Sequence, residues 1–186
     1  MKLSLVTCVD LGDKISIISD GQMTGINEDN IIGDSFKKFV VKDDYFIAIT
    51  NSYIVANEIF KRIQNENCTA KKTRKLIDEI FEDLNKEFIL LIGMMINNEL
   101  SYAYYTHING VYNQGIVSIL DNPCVVLHSG NFDVEVVNNF KKKITSLKKE
   151  EASSDIIINV QKQFHFDVEK IDYTVNDNLF HEVFIK

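Results

Sequence analysis

Strand-like and helix-like segments of this 186-residue chain fall into separate blocks instead of alternating singly. Runs rich in Val, Ile and Phe predict strands, and apolar residues at helical spacing predict helices. In chain order the prediction is strands at 3–9, 14–19, 37–42 and 45–50, helices at 52–65 and around 77–88, strands at 88–96, 100–107, 111–119 and 124–129, helices near 133–145 and 151–165, and a last strand at 179–185. Blocks of this kind are typical of α+β proteins.

Two mainly antiparallel sheets stacked face to face, with a helix pair on each outer face, account for every block. We therefore expect one domain over residues 1–186, built as a four-layer αββα sandwich. Asn97-Asn98 predicts a turn between two strand runs, and Asn109-Gly110 between the next two predicts a tight hairpin. The lysine clusters at 141–143 and 148–149 are expected between the last two helices.

The clearest helix is predicted from one apolar series that repeats at i, i+3, i+4, i+7 and i+11. Its members are Ile77, Ile80, Phe81, Leu84 and Phe88. The charged residues between them indicate a solvated opposite face.

Composition excludes several functional classes. The net charge of −7, without a basic block rich in aromatic residues, argues against nucleic acid as a partner. No run approaches the roughly 18 apolar residues of a membrane span. The apolar run at the N-terminus imitates a signal peptide but stops at Asp10, and a strand explains it better.

Cysteine and histidine spacing argues against metal and disulfide sites. Three widely spaced cysteines without a CxxC pair favour a reducing, cytoplasmic compartment. The four histidines show no ligand spacing, so we expect surface or core roles for them and no metal or organic cofactor. These residues are Cys8, Cys68, Cys124, His107, His128, His165 and His181.

Three polar side chains at predicted strand ends are candidates for a catalytic site. The strand before Asp20 runs into an Asp-Gly turn, and Lys37-Lys38 opens another apolar strand about eighteen residues later. Ser4 lies sixteen residues before Asp20. A hydroxyl, an acid and an amine can together activate a nucleophile. The alternative is structural, with an Asp that bonds its own turn and a lysine that stays protonated and is a poor base.

The block order and these motifs resemble the proteasome β-subunit family, especially the bacterial proteasome-like peptidase of the HslV type. Ser19-Asp20-Gly21-Gln22-Met23-Thr24 looks like the strand-end Asp motif of that family, and Phe36-Lys37-Lys38-Phe39-Val40 is similar to its Lys-Lys strand start. Residues 46–60 resemble its next strand and first helix. Residues 126–131 take the place of its later Gly-Ser-Gly turn.

The resemblance implies N-terminal-nucleophile hydrolysis of amide bonds. By position, Ser4 would be the nucleophile, Asp20 the acid that holds the lysine, Lys38 the amine and Ser129 an auxiliary hydroxyl. Lys37, one residue out of phase, is the alternative amine. The family also implies a homo-oligomer, as a ring or stacked dimers, and an ATP-dependent unfoldase as a partner.

Several residues depart from the family pattern. Ser4 follows Met1-Lys2-Leu3, where a processing glycine is usual. The glycine-rich oxyanion turn is replaced by residues 48–52, and a side chain there would block close approach of the backbone. The late Asp-x-x-Ser-Gly motif has only Asp167 with Lys170 in the Ser position. Two hypotheses remain, a peptidase or amidase that uses Ser4, and a non-catalytic oligomeric scaffold or binding subunit.

Overall fold

The computed structural model describes residues 2–3, 5–25, 31–65, 68–81, 86–96, 99–118, 123–129 and 133–186. Its strands are β1 (Lys2–Leu3), β2 (Leu5–Asp10), β3 (Lys14–Asp20), β4 (Met23–Thr24), β5 (Ile31–Gly33), β6 (Phe39–Val41), β7 (Tyr45–Thr50), β8 (Phe88–Ile96), β9 (Glu99–Ile108), β10 (Val111–Ser118), β11 (Cys124–His128) and β12 (Leu179–Ile185). Its helices are α1 (Tyr53–Asn65), α2 (Ala70–Ile80), α3 (Val134–Lys149) and α4 (Ser154–Glu169).

Two antiparallel sheets form the centre of the molecule. One has five strands in the order β10-β9-β8-β7-β6, and the other has four in the order β11-β2-β3-β12. A small sheet, β1-β4-β5, lies beside them and was not predicted. The α+β sandwich expected from the block order is confirmed.

Three apolar clusters separate the four layers. In β7, Tyr45, Ile47 and Ile49 pack with residues of α1 and α2, whereas Phe46 and Ala48 belong to the cluster between the sheets. This division follows from the pleat, which sends successive side chains of a strand to opposite faces. A third cluster joins the four-stranded sheet to α3 and α4, and its members include Leu5, Val9, Val137, Phe140, Ile157 and Phe164.

The helix predicted from the apolar series is present as α2, but Phe88, the last member of the series, lies outside it. It begins earlier, at Ala70, where the Thr69 side chain accepts a hydrogen bond from the Lys72 amide. It ends at Ile80, and Phe88 is the first residue of β8. Leu84 lies outside the described residues. The Phe81 and Phe88 rings still meet edge to face, with centroids 5.9 Å apart, so the periodic pair shares one core from different elements.

The last two helices are longer than predicted. The lysines expected between them belong to α3 itself, with Lys148 and Lys149 in its last turn. Cations there are favoured by the helix dipole. The hairpin prediction is confirmed, because Asn109 and Gly110 have φ values of 51° and 74° between the paired residues Ile108 and Val111. The turn predicted at Asn97-Asn98 lies outside the described residues.

None of the helices in the described ranges is both long enough and apolar enough to cross a membrane.

Candidate functional site

Asp20 and Lys38 form a buried ion pair at one end of the four-stranded sheet. Asp20 is the last residue of β3, and Lys38 immediately precedes β6. The Lys38 Nζ lies 2.5 Å from the Asp20 Oδ1, and both side chains are fully buried. The backbone amide of Lys38 lies 3.4 Å from the Ser19 hydroxyl, which ties the two strand ends together.

Backbone amides hold the Asp20 carboxylate in place. Leu5 donates to Oδ1 over 2.9 Å, and Gln22 donates to Oδ2 over 3.0 Å. Leu5 directly follows Ser4 in the sequence, so the acid is anchored at the start of β2. Ser4 itself lies outside the described residues.

Burial works against both charges of the pair. Desolvation raises the pKa of the Asp20 carboxyl and lowers the pKa of the Lys38 ammonium, while the attraction between the two groups opposes each shift. Within the described part of the chain, Asp20 is also the one polar partner of Lys38 Nζ. Lys38 is therefore an amine closer to its neutral form than an exposed lysine, with donor positions to spare.

The Lys37 side chain points away from Asp20, unlike that of Lys38. Its side chain is 32% exposed, forms an ion pair with Glu182 on β12 and lies 4.7 Å from the centroid of the Phe39 ring. Of the two lysines that the sequence left open, Lys38 is the one beside Asp20.

Ser129 lies near the same end of the sheet. It follows His128, the last residue of β11, whose Cα pairs with that of Leu5. The structure thus brings Asp20, Lys38 and the Ser129 position together around the start of β2.

The glycine-free turn after β7 adopts a conformation that usually favours glycine. Asn51 has a φ of 73°, in the left-handed region that Asn tolerates better than most residues. Ser52 then accepts a hydrogen bond of 3.3 Å from the Val55 amide in the first turn of α1. Ala48, where the turn segment starts, is fully buried between the sheets.

The loop after α4 contributes residues that the sequence did not single out. Asp172 accepts hydrogen bonds from the Thr174 amide and hydroxyl over 2.9 and 2.6 Å. Its second oxygen is buried without a partner among the described residues. Asn176 accepts from the Gly21 amide over 2.9 Å, and the Gln22 side chain donates to the Tyr173 carbonyl. An Asp-x-Thr loop signal was available in the sequence, but its contact with the Asp20 turn is purely tertiary.

Asp167, considered from the sequence for the late acidic motif, is on the surface of α4. It forms a 3.1 Å ion pair with Lys170, and its side chain is exposed. Asp172 is the buried acid of this part of the chain.

Gly21 is required by close packing of the backbone. A Cβ added there would collide with the Asp34 carbonyl oxygen and approach the Phe180 ring at 3.1 Å. Asn176 and Asn178 both donate to that same Asp34 carbonyl, at 3.2 and 2.7 Å. Backbone packing and these hydrogen bonds therefore hold the turn after Asp20 in place.

A second buried polar group lies where α4 covers β2 and β3. Gln161 is its centre, because its amide nitrogen donates to the Thr7 hydroxyl over 2.9 Å and its oxygen accepts from Ser16 over 2.7 Å. His165 Nε2 lies 2.9 Å from the Thr7 hydroxyl, and His181 Nε2 lies 3.1 Å from that of Ser16. We call these five residues the Gln161 cluster. Burial, with a smaller effect of the Lys38 charge, lowers the pKa of His165 to about 3.

Within the described ranges, no group of three or more His, Cys, Asp or Glu side chains is arranged to hold a metal ion. Cys8 and Cys124 are buried thiols.

Comparison with solved structures identifies the architecture. Eukaryotic HslV from Trypanosoma brucei matches with a TM-score of 0.69 at 17% identity, over 98% of this chain and 100% of that one. Anbu (ancestral beta-subunit) from Yersinia bercovieri matches with a TM-score of 0.65 at 12% identity, over 98% of this chain and 82% of that one. The chain has a proteasome-like fold.

The likeness is one of structure. No protein-family model matches the sequence, and no curated protein matches it significantly. The described residues nevertheless supply both sheets and the four helices of this fold.

Proposed function

We propose that this chain is an amide hydrolase of the N-terminal-nucleophile type, acting on peptides, once removal of Met1-Lys2-Leu3 makes Ser4 the first residue. The observation that carries the proposal is the buried Asp20–Lys38 pair, anchored to the amide of Leu5. Asp20 thereby links the Lys38 ammonium to the residue that follows Ser4, and among the described residues Asp20 is the one polar partner of that ammonium.

The proposed chemistry begins with the Ser4 hydroxyl. Its proton passes to the freed α-amine of Ser4 while Oγ attacks the peptide carbonyl, and the Lys38 ammonium stabilises the developing alkoxide. Collapse of the tetrahedral intermediate transfers that proton to the departing amine and leaves an acyl-enzyme. Water then releases the acid and restores Ser4. Asp20 holds Lys38 in position, and Ser129 supplies an auxiliary hydroxyl.

The assembly is part of the same proposal. The likeness to HslV and Anbu supports a homo-oligomer, as a ring or stacked dimers, in the cytoplasm, with substrates delivered by an ATP-dependent unfoldase. The net charge of −7 and the lack of a basic, aromatic-rich block support a partner other than nucleic acid.

The test uses the chain in two forms, as translated and released from a removable N-terminal fusion so that it starts at Ser4. An electrophile that traps N-terminal nucleophiles is added, and intact mass is measured. We expect one adduct on the form that starts at Ser4 and none on its Ser4→Ala variant. Lys38→Met should slow labelling by about 100-fold or more, since positioned proton-transfer and charge-stabilising groups contribute at least that much. The neighbouring Lys37→Met is the matched control and should label at the original rate.

The competing function is a non-catalytic scaffold or binding subunit. It is favoured by the turn at 48–52, which lacks glycine, and by the full burial of both partners of the ion pair. If the form that starts at Ser4 takes up no label and hydrolyses no peptide, while cells retain an intact Met1, the scaffold replaces the hydrolase.

A further inference from the structure

The edge strand β10 differs from the other sheet edges of the molecule. It has eight residues in unbroken register with β9, and it contains no Asp, Glu, Lys, Arg, His or Pro. The opposite edge, β6, has three residues. In the second sheet, β11 has five residues, and β12 carries Glu182 paired with Lys37. Edges are usually protected by shortness, charge, proline or a bulge, and β10 has none of these.

The hairpin turn determines which backbone groups of β10 face outward. In a two-residue turn, the flanking residues Ile108 and Val111 exchange the closing hydrogen bonds. Because hydrogen-bonded and non-bonded positions alternate along an antiparallel pair, Asn113 and Gly115 also bond to β9. The N–H and C=O groups of the alternate residues therefore point away from the sheet. They are those of Tyr112, Gln114, Ile116 and Ser118.

We propose that β10 pairs antiparallel with β10 of a second copy of this chain, with the two-fold axis passing beside Gly115. In this register Gln114 lies opposite Ile116 of the partner subunit, and Tyr112 lies opposite Ser118 of the partner subunit. Each of these pairs exchanges two hydrogen bonds. This register is the symmetric one that uses every outward-facing residue, and it joins the two five-stranded sheets into one.

The side chains at the axis are compatible with that pairing. Gly115 meets its own symmetry copy at a position where Cα atoms approach to about 4.5 Å, and it has no side chain there. On its own sheet Gly115 is already packed under Tyr104, whose ring would lie 2.7 Å from an added Cβ. A two-fold contact places the same surface on both sides, and the absence of charge on β10 removes like-charge repulsion.

The pairing also covers apolar surface. Ile116 is 56% exposed and lines a groove between α2 and β10 together with Phe81, Tyr105 and Arg74. The register places the Gln114 side chain of the partner subunit over Ile116. The contact gives the homo-oligomer within the proposed function a specific interface, and it does not depend on hydrolysis.

Amide hydrogen exchange, measured by NMR at a series of protein concentrations, tests the register. We expect the Gln114 and Ile116 amides to be protected at high concentration and to lose protection at least 10-fold on dilution, in step with the sedimentation coefficient. The Asn113 and Gly115 amides bond to β9 and should stay protected throughout, which reports that the hairpin is folded.

Two variants separate this contact from any other. Ile116→Lys adds a charge to the edge, and Gln114→Pro removes an outward N–H that has no partner among the described residues. Both should abolish the concentration-dependent protection. Ile54→Lys changes a similarly exposed isoleucine on α1 and should leave the protection intact. Rapid exchange of the Gln114 and Ile116 amides at every concentration overturns the β10 pairing. If a ring or other oligomer persists in that case, the homo-oligomer of the proposed function stands without this contact.

Discussion

The four-stranded sheet has two groups of buried polar side chains, one neutral and one charged. The Gln161 cluster uses neutral amide, hydroxyl and imidazole groups that hydrogen-bond to one another, and His165 Nδ1 is its one buried atom without a partner among the described residues. The Asp20–Lys38 pair retains formal charges and leaves part of the ammonium without a described partner. The two groups therefore differ in charge. A neutral hydrogen-bonded network stabilises a fold at a moderate desolvation cost, whereas a buried charged pair costs more desolvation, and such pairs with shifted pKa values cluster at functional sites.

The largest expected effect comes from removing one charge of the ion pair. Asp20→Asn keeps the shape but leaves Lys38 buried without a counter-charge, so we expect about 3–5 kcal/mol of unfolding free energy to be lost. Urea denaturation of the variant measures the loss. The double variant Asp20→Asn/Lys38→Met should recover part of it, because no unpaired charge is then buried.

Asp10→Asn is the control for that comparison. Asp10 also has two lysine partners, Lys148 at 2.8 Å and Lys186, but its side chain is 14% exposed and therefore better screened. We expect a loss of about 1 kcal/mol or less. Equal losses for Asp20→Asn and Asp10→Asn would mean that burial does not distinguish the two acids.

A smaller effect is expected at the centre of the neutral cluster. Gln161→Leu removes partners from the Thr7 and Ser16 hydroxyls and from the backbone carbonyls of both residues. Leaving several buried groups unsatisfied should cost about 3 kcal/mol, measured by denaturation. Gln163→Leu changes the same residue type two positions along α4, on its exposed face, and should change stability by less than about 0.5 kcal/mol. A harmless Gln161→Leu would show that the cluster does not contribute to stability.

The smallest effect, apart from those of the control variants, is a pH dependence carried by His165. Its pKa is lowered from 6.5 to about 3 in the folded chain, so between these values the unfolded chain binds more protons. Stability therefore falls as pH decreases below 6.5, by about 2 kcal/mol at pH 5. His165→Gln should remove that part of the dependence between pH 7 and pH 5. Identical pH dependence in both proteins would place a protonated His165 in the folded state.

Much of the fold is predictable because its signals are local. The limits of β7 coincide with the prediction, since an apolar run is bounded by Asp43-Asp44 and by Asn51. The start of α2 depends on a single cap at Thr69 ahead of a lysine-rich turn, where apolar periodicity gives no signal. Phe88 was assigned to the helix because it continues the i, i+3, i+4, i+7, i+11 series. It does pack against Phe81, but from β8, and periodicity cannot tell which element supplies a contact.

The candidate site was also predicted only in part from the sequence. Strand ends and spacing brought Asp20 and Lys38 into consideration, and burial then distinguished Lys38 from Lys37. Asn176 was missed because its contact with Gly21 exists only after the chain has returned through α4, and Asp172 lies in the same loop. The role of Ser4 remains a prediction, since it depends on processing of the chain.

The close contact of Gly21 with Asp34 affects how distant sequences should be classified. The glycine of the Asp-Gly pair is demanded by the crossing of two backbone segments, whether or not any bond is ever cleaved. The Asp-Gly pair of this chain therefore reports its fold, and the presence of the pair in another sequence does not by itself indicate hydrolysis.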